Sequence, residues 1–147
     1  MPEFDPAQLP DLPIAFMNED HAREAALVND LETALAAQKR GEGTLGPILE
    51  RLSLLAVHTR DHFLREEAMM REARFPAYPV HKLEHDRVLA EMDAEARAFR
   101  ARGDAARLSR YLLEALPTWF MNHVRTMDVV TARFVAGQAG PSAHLGF

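Results

Sequence analysis

Between residues 48 and 69 the inward positions recur at alternating steps of four and three: Ile48, Leu52, Leu55, Thr59, His62, Glu66 and Met69. Side chains three and four apart lie on one face of an α-helix, so this segment predicts a helix with a buried seam. Two ionisable side chains sit in that seam. A second segment repeats the pattern with His81, His85, Val88, Met92 and Phe99, and a third with Leu112, Leu116, Trp119, His123, Val130 and Phe134. A fourth, first in the chain, offers His21, Val28, Leu31 and Leu35. Four amphipathic helices with short connections predict an all-α fold, an antiparallel up-down-up-down four-helix bundle.

Punctuation residues set the boundaries. Pro2, Pro6, Pro10 and Pro13 deny backbone donors and favour extended backbone, so residues 1–17 read as an N-terminal arm that packs through Phe4, Leu12, Ile14 and Phe16. Asn18 is a good helix cap, with Glu19 and Asp20 following where the helix dipole favours negative charge. The first helix ends before Gly41, and Pro47 suits the first turn of the second, which runs to about Arg71. A third runs from about Pro76 to Ala101, and Gly103 with Asp104 reverses the chain into a fourth that reaches about Val135. Pro117 lies inside that last helix and predicts a kink or break in the turn before it. The bundle thus spans residues 18–136, and residues 137–147 read as a flexible C-terminal tail.

Composition narrows the chemistry. A chain of 147 residues is about one domain and needs no disulfide to build its core. With no Cys, thiolate metal sites and iron–sulfur clusters are excluded, and any metal must be held by imidazole and carboxylate. A net charge of -5, with no basic stripe clear of acidic neighbours, argues against nucleic acid as a partner. No stretch approaches the roughly 18 apolar residues that cross a bilayer, and the start lacks a basic segment followed by an apolar run, so we expect no membrane association and a cytoplasmic location.

Histidines are therefore the informative residues. His21, His62 with Glu66, His81 with His85, and His123 followed by Asp128 all fall on or near the inward stripes. Buried ionisable groups need partners, and seven of them converging on one interior point to metal. Residues four apart differ by only about 40° around a helix, so His62 with Glu66 and His81 with His85 can each grip one site. Asp128 fits poorly, because five residues from His123 means about 140° of rotation. His58, one turn before His62, falls beside the seam and reads as a flanking residue. Glu67, about 100° from Glu66, should face solvent. The methionines read as core filling.

Four motifs in order, NEDH at 18–21, HFLREE at 62–67, HKLEH at 81–85 and WFMNHVRTMD at 119–128, resemble the hemerythrin family, specifically bacteriohemerythrins, over about residues 16 to 135. Phe75-Pro76 stands where that family usually has Tyr-Pro. The resemblance implies a non-haem di-iron site with a bridging oxo or hydroxo group. His81, His85 and His123 would bind one iron, His21 and His62 the other, and Glu66 and Asp128 would bridge both. It also implies reversible O2 binding. With that ligand count, one position stays open on one iron, and two ferrous ions can supply two electrons to a small molecule there. Phe63, Trp119, Phe120 and Val124 lie beside the ligands and would form the dry O2 pocket. Five neutral imidazoles with two carboxylates favour carriage over oxidation. The alternatives are an oxidoreductase using the same site on peroxide or nitric oxide, and a metal-buffering bundle holding zinc or a single iron.

Overall fold

A computed structural model describes residues 4–143, and side chains as far as residue 138. After a 3-10 turn at Pro6–Gln8 come α1 (Ala15–Lys39), α2 (Leu45–Glu72) and α3 (Tyr78–Arg102). A fourth helical rod follows, made of α4 (Ala105–Arg110), a π turn (Tyr111–Ala115), α5 (Leu116–His123), a second π turn (Val124–Asp128) and α6 (Val129–Ala143). Helix α1 packs on α2, α2 on α3, and the fourth rod closes the ring against α3 and α1. The fold is the all-α four-helix bundle that the stripes predict.

The reversal between α3 and α4 is made by Gly103 and Asp104. Gly103 adopts φ 65°, the left-handed cap that L residues resist, and its N–H reaches the Phe99 carbonyl. Asp104 then caps α4 by accepting from the Arg107 N–H at 3.0 Å. At the other end of the chain Asn18 does not cap α1. The helix starts earlier, at Ala15, and the Asn18 amide instead grips the arm, accepting from Leu12 N–H at 2.9 Å and donating to Leu12 O at 2.8 Å. Asn29 holds Phe4 in the same two-way manner. Phe4, Leu12 and Ile14 are buried, so the arm is packed.

The fourth rod departs most from expectation. Pro117 does not end the rod, but the turn before it, Tyr111–Ala115, departs from α-helical bonding, in the place expected for the disturbance. The ring of a proline clashes with the carbonyl four residues back, and here the preceding turn widens so that Leu116 N–H bonds to Tyr111 O, five residues away. A second widened turn joins Val129 N–H to Val124 O. One extra residue per turn shifts the phase of everything after it: Val130, assigned to the seam, is 56% exposed, and Thr131 is fully buried in its place. The rod also continues to Ala143, beyond the boundary expected at residue 136, and residues 144–147 lie outside the described part. No helix among the described residues is long and apolar enough to cross a membrane.

Candidate metal centre

Seven polar side chains from all four sides of the bundle meet at its centre: His21 on α1, His62 and Glu66 on α2, His81 and His85 on α3, His123 on α5, and Asp128 at the end of the second π turn. All seven are at most 2% exposed. The widened turn explains how Asp128 arrives. With bonds running to the fifth residue, five residues make about one turn, so Asp128 returns to the face of His123 instead of standing well round the helix.

The donor atoms separate into two sets. Around the first, Asp128 Oδ1 lies 3.1 Å from His81 Nε2 and 3.2 Å from His123 Nε2, while Glu66 Oε1 lies 3.2 Å from His85 Nε2 and 3.9 Å from His81 Nε2. Around the second, Asp128 Oδ2 lies 3.0 Å from His21 Nε2, and Glu66 Oε2 lies 2.8 Å from His62 Nε2 and 3.6 Å from His21 Nε2. Each carboxylate turns one oxygen to each set. For metal–donor bonds of about 2.1 Å, neighbouring octahedral donors stand about 3.0 Å apart, and five of these seven separations lie between 2.8 and 3.2 Å. Satisfaction points the same way. Of eight buried side-chain polar atoms with no hydrogen-bond partner among the described residues, seven belong to His21, Glu66, His85, His123 and Asp128. Five of the seven, His21 Nε2, Glu66 Oε1, His85 Nε2 and both Asp128 oxygens, face the two donor sets, where a cation would meet them, so the residues suit a buried metal centre.

Charge balance sets the titration behaviour. Burial pushes the His62 imidazole down, but Glu66 and Glu24 outweigh it and hold it well above its ordinary value. His21 and His85 are likewise raised, against burial, by Asp128 and Glu66 and by Glu66 and Glu67 respectively. Burial opposes ionisation of Glu66, yet His62, His21 and His85 hold it well below the usual carboxylate range. Asp128 is also held low, chiefly by His123 and His21, against burial and the like charge of Glu66. Two acidic groups this deep demand compensating positive charge, from imidazolium protons or from metal.

The outer nitrogens of the imidazoles are fixed unevenly. His81 Nδ1 meets Thr131 Oγ1 at 2.8 Å and His85 Nδ1 meets Glu67 Oε2 at 2.8 Å. Glu67 is thus 4% exposed and faces inward, contrary to the solvent position expected of it. Helix α2 buries a second stripe, Phe63, Glu67 and Met70, of which Phe63 and Glu67 meet His85 of α3, so its inward face is wider than one seam. Glu24 was missed altogether. It is fully buried, accepts from Thr59 Oγ1 at 2.7 Å and lies 3.4 Å from His62 Nδ1. Its signal was present, because His21, Glu24, Val28, Leu31 and Leu35 step by three and four. His58 flanks the site, with Nε2 3.2 Å from the Asp20 carbonyl.

The four proposed pocket residues differ in place. Phe63 stacks on His85 with ring centres 3.9 Å apart and planes within 3°. Phe120 sets its edge against His21 at 5.4 Å and is backed by Phe4 of the arm. Trp119 stacks on His123 at 4.5 Å but is only half-buried, with its outer face on an open cleft and its Nε1–H donated to Glu84 at 2.7 Å. The Arg87 guanidinium, helped by that indole N–H, holds the Glu84 carboxyl down to about 2. Val124 is fully buried in the core cluster with Phe120.

Residues 12–133 match the hemerythrin HHE cation binding domain. The chain belongs to the hemerythrin family. Among its relatives, a bacteriohemerythrin of Ralstonia nicotianae is 36% identical over 130 residues, covering 88% of this chain and 86% of the relative. One of Aquifex aeolicus is 31% identical over 118 residues, covering 80% and 86%. A crystal structure of a hemerythrin mutant superposes with a TM-score of 0.72 at 23% identity over 89% of this chain and 94% of that one, a likeness of fold. Membership of the hemerythrin family and the buried His, Glu and Asp cluster together support a metal-binding role.

Proposed function

We propose that this hemerythrin-family protein binds O2 reversibly at a non-haem di-iron centre. His81, His85 and His123 hold one iron, His21 and His62 the other, and Glu66 and Asp128 bridge the pair. The observation that carries this reading is the division of both carboxylates, each with one oxygen toward the three-imidazole set and one toward the two-imidazole set. Iron held by these seven side chains, with a bridging oxo or hydroxo group, would leave one position open on the two-imidazole side and would supply two electrons to a small molecule there.

The chain's own residues favour carriage. Phe63 and Trp119 lock two imidazole rings by stacking, and Phe120 covers the two-imidazole side with an apolar edge that disfavours water. Five neutral imidazoles against two carboxylates leave the site less anionic than carboxylate-rich di-iron oxygenases, which disfavours strongly oxidising states. The names of the relatives, bacteriohemerythrin above all, support the same reading. O2 is the partner it requires, and the cytoplasm the compartment that goes with it.

The experiment is metal analysis of protein from iron-replete cells, with absorption spectra recorded as O2 is admitted and removed. Two irons per chain and a band that appears and disappears with O2 are expected. Zinc, or one iron per chain, would point to metal buffering. Sustained consumption of peroxide or nitric oxide with an electron donor would replace the carrier by an oxidoreductase.

A further inference from the structure

We infer that Glu24 is a positioning residue for the two-imidazole half of the centre, setting how tightly that half alone holds its metal. The inference rests on the two-metal reading above. Glu24 lies one turn beyond His21 on α1 and is fully buried, so its charge is tolerated only for what it meets. Oε2 lies 2.7 Å from the Thr59 hydroxyl of α2, which is shared with the Leu55 carbonyl at 2.8 Å. Oε1 is left for His62 Nδ1 at 3.4 Å and for His58 Nε2 at 3.5 Å. With Nε2 of His62 turned to Glu66 and the metal position, the ring proton belongs on Nδ1, facing the Glu24 carboxylate. A carboxylate behind an imidazole fixes its tautomer and orientation and makes it a stronger donor.

Each half leaves one outer nitrogen without a partner among the described residues, His123 Nδ1 in one and His21 Nδ1 in the other, but the halves differ in how many braces remain. Glu67 stands behind His85 in the three-imidazole half, where Thr131 also supports His81. In the two-imidazole half His21 Nδ1 has no hydrogen-bond partner, so Glu24 is the one group among the described residues that braces an imidazole there. Removing it loosens half of the centre, and that half is the one with the open position. Glu24 also ties the site to the edge of the bundle, since His58, its other neighbour, is partly exposed and rests on the Asp20 carbonyl.

Anaerobic titration of the whole chain with cobalt(II), followed by visible absorption, tests this without any gas chemistry. The parent should take up two cobalt ions. Glu24→Gln, which keeps the shape and removes the charge, should weaken one of the two by about 10–100-fold and leave the other unchanged. Thr59→Val, which removes the hydroxyl shared between Glu24 Oε2 and the Leu55 carbonyl one turn back on its own helix, should give a smaller loss at the same ion. Glu67→Gln should weaken the other ion. Parent affinities at both ions in Glu24→Gln would overturn the inference, as would equal weakening of both together with a fall in melting temperature, the mark of a merely structural role. A third cobalt in the parent that disappears in His58→Ala would also overturn it, because Glu24 and His58 would then be ligands themselves. A parent that takes up fewer than two ions instead defeats the two-metal reading on which it rests.

Discussion

Deleting Arg125 is expected to leave the metal centre intact, although it shortens the spacing between two of its proposed ligands. Arg125 is exposed and lies inside the widened turn Val124–Asp128. In an unbroken α-helix a residue five positions on lies about 140° away, whereas one four positions on lies about 40° away. The widened turn cancels the first figure by carrying an extra residue. Removing that residue lets an α-helical turn re-form, with the aspartate four positions after His123 and near its present direction. Thr131, Ala132 and Val135, all buried beyond the turn, keep their phase for the same reason. Stability should change by less than about 1 kcal/mol, within about 4 °C in melting temperature for a chain of this size. Inserting one Ala at the same place is the contrast. It turns the aspartate and α6 by about 100°, taking Thr131 from His81 and Val135 from the core. Losing one buried hydrogen bond, at about 1 kcal/mol, and one aliphatic burial, at about 2 kcal/mol, costs roughly 3 kcal/mol and about 10 °C before the stranded carboxylate is counted. Cobalt or iron content per chain and thermal unfolding measure both variants. A deletion variant that melts like the parent yet loses a metal ion would refute the reasoning, because spacing itself, and not phase, would then govern the site.

Three further outcomes follow from packing and backbone geometry. Phe63→Ala removes a ring that is 1% exposed and stacked on His85, so thermal unfolding should show a loss of about 3–5 kcal/mol; a loss under about 1 kcal/mol would mean that the site collapses around the gap. Gly103→Ala should cost about 1–2 kcal/mol by denaturant midpoint through backbone strain alone, because φ is +65° and an added Cβ meets nothing within 4 Å; a larger loss would point to a clash that the structure lacks. Asn29→Ala removes both hydrogen bonds that hold Phe4, so limited proteolysis should cut the arm faster while the melting temperature shifts by only a few degrees; unchanged cleavage would mean that Phe4 packing suffices.

Most of the bundle was legible because its seam obeys one rule, and the places where reading failed are those where a second constraint acts on the same residues. Ile48, Leu52, Leu55, Thr59, His62 and Glu66 are all buried as their spacing predicts, yet the seam ends on Met70 and not Met69, since a 3.6-residue helix drifts from a 3.5-residue pattern. Val130 failed for a different reason: the widened turn sits upstream, and its only trace in sequence is an aspartate five residues after a histidine. Asn18, with Glu19 and Asp20 after it, has the residues of a helix start, but the proline-rich arm competes for its amide.

Glu24 and Glu67 show how the two kinds of failure meet at the site. Periodicity counts Glu24 among the inward positions, but a carboxylate on an apolar stripe reads as an interruption unless its partner is known. That partner, His62, lies 38 residues away on another helix. Glu67 sits beside Glu66, and a narrow seam leaves room for only one of them; the wide buried face of α2 accepts both. Two pairs of the proposed ligands, His62 with Glu66 and His81 with His85, can thus be read within single helices one turn apart, whereas His21 stands alone on α1 and Asp128 reaches the site only through the widened turn. The groups that brace them are readable only across helices, because each brace exists to fix one helix's imidazole from its neighbour. Braces outside the four motifs should therefore be sought wherever a short polar side chain or an acid stands on the seam of the helix that faces a histidine, as Thr131 does for His81 and Glu24 for His62.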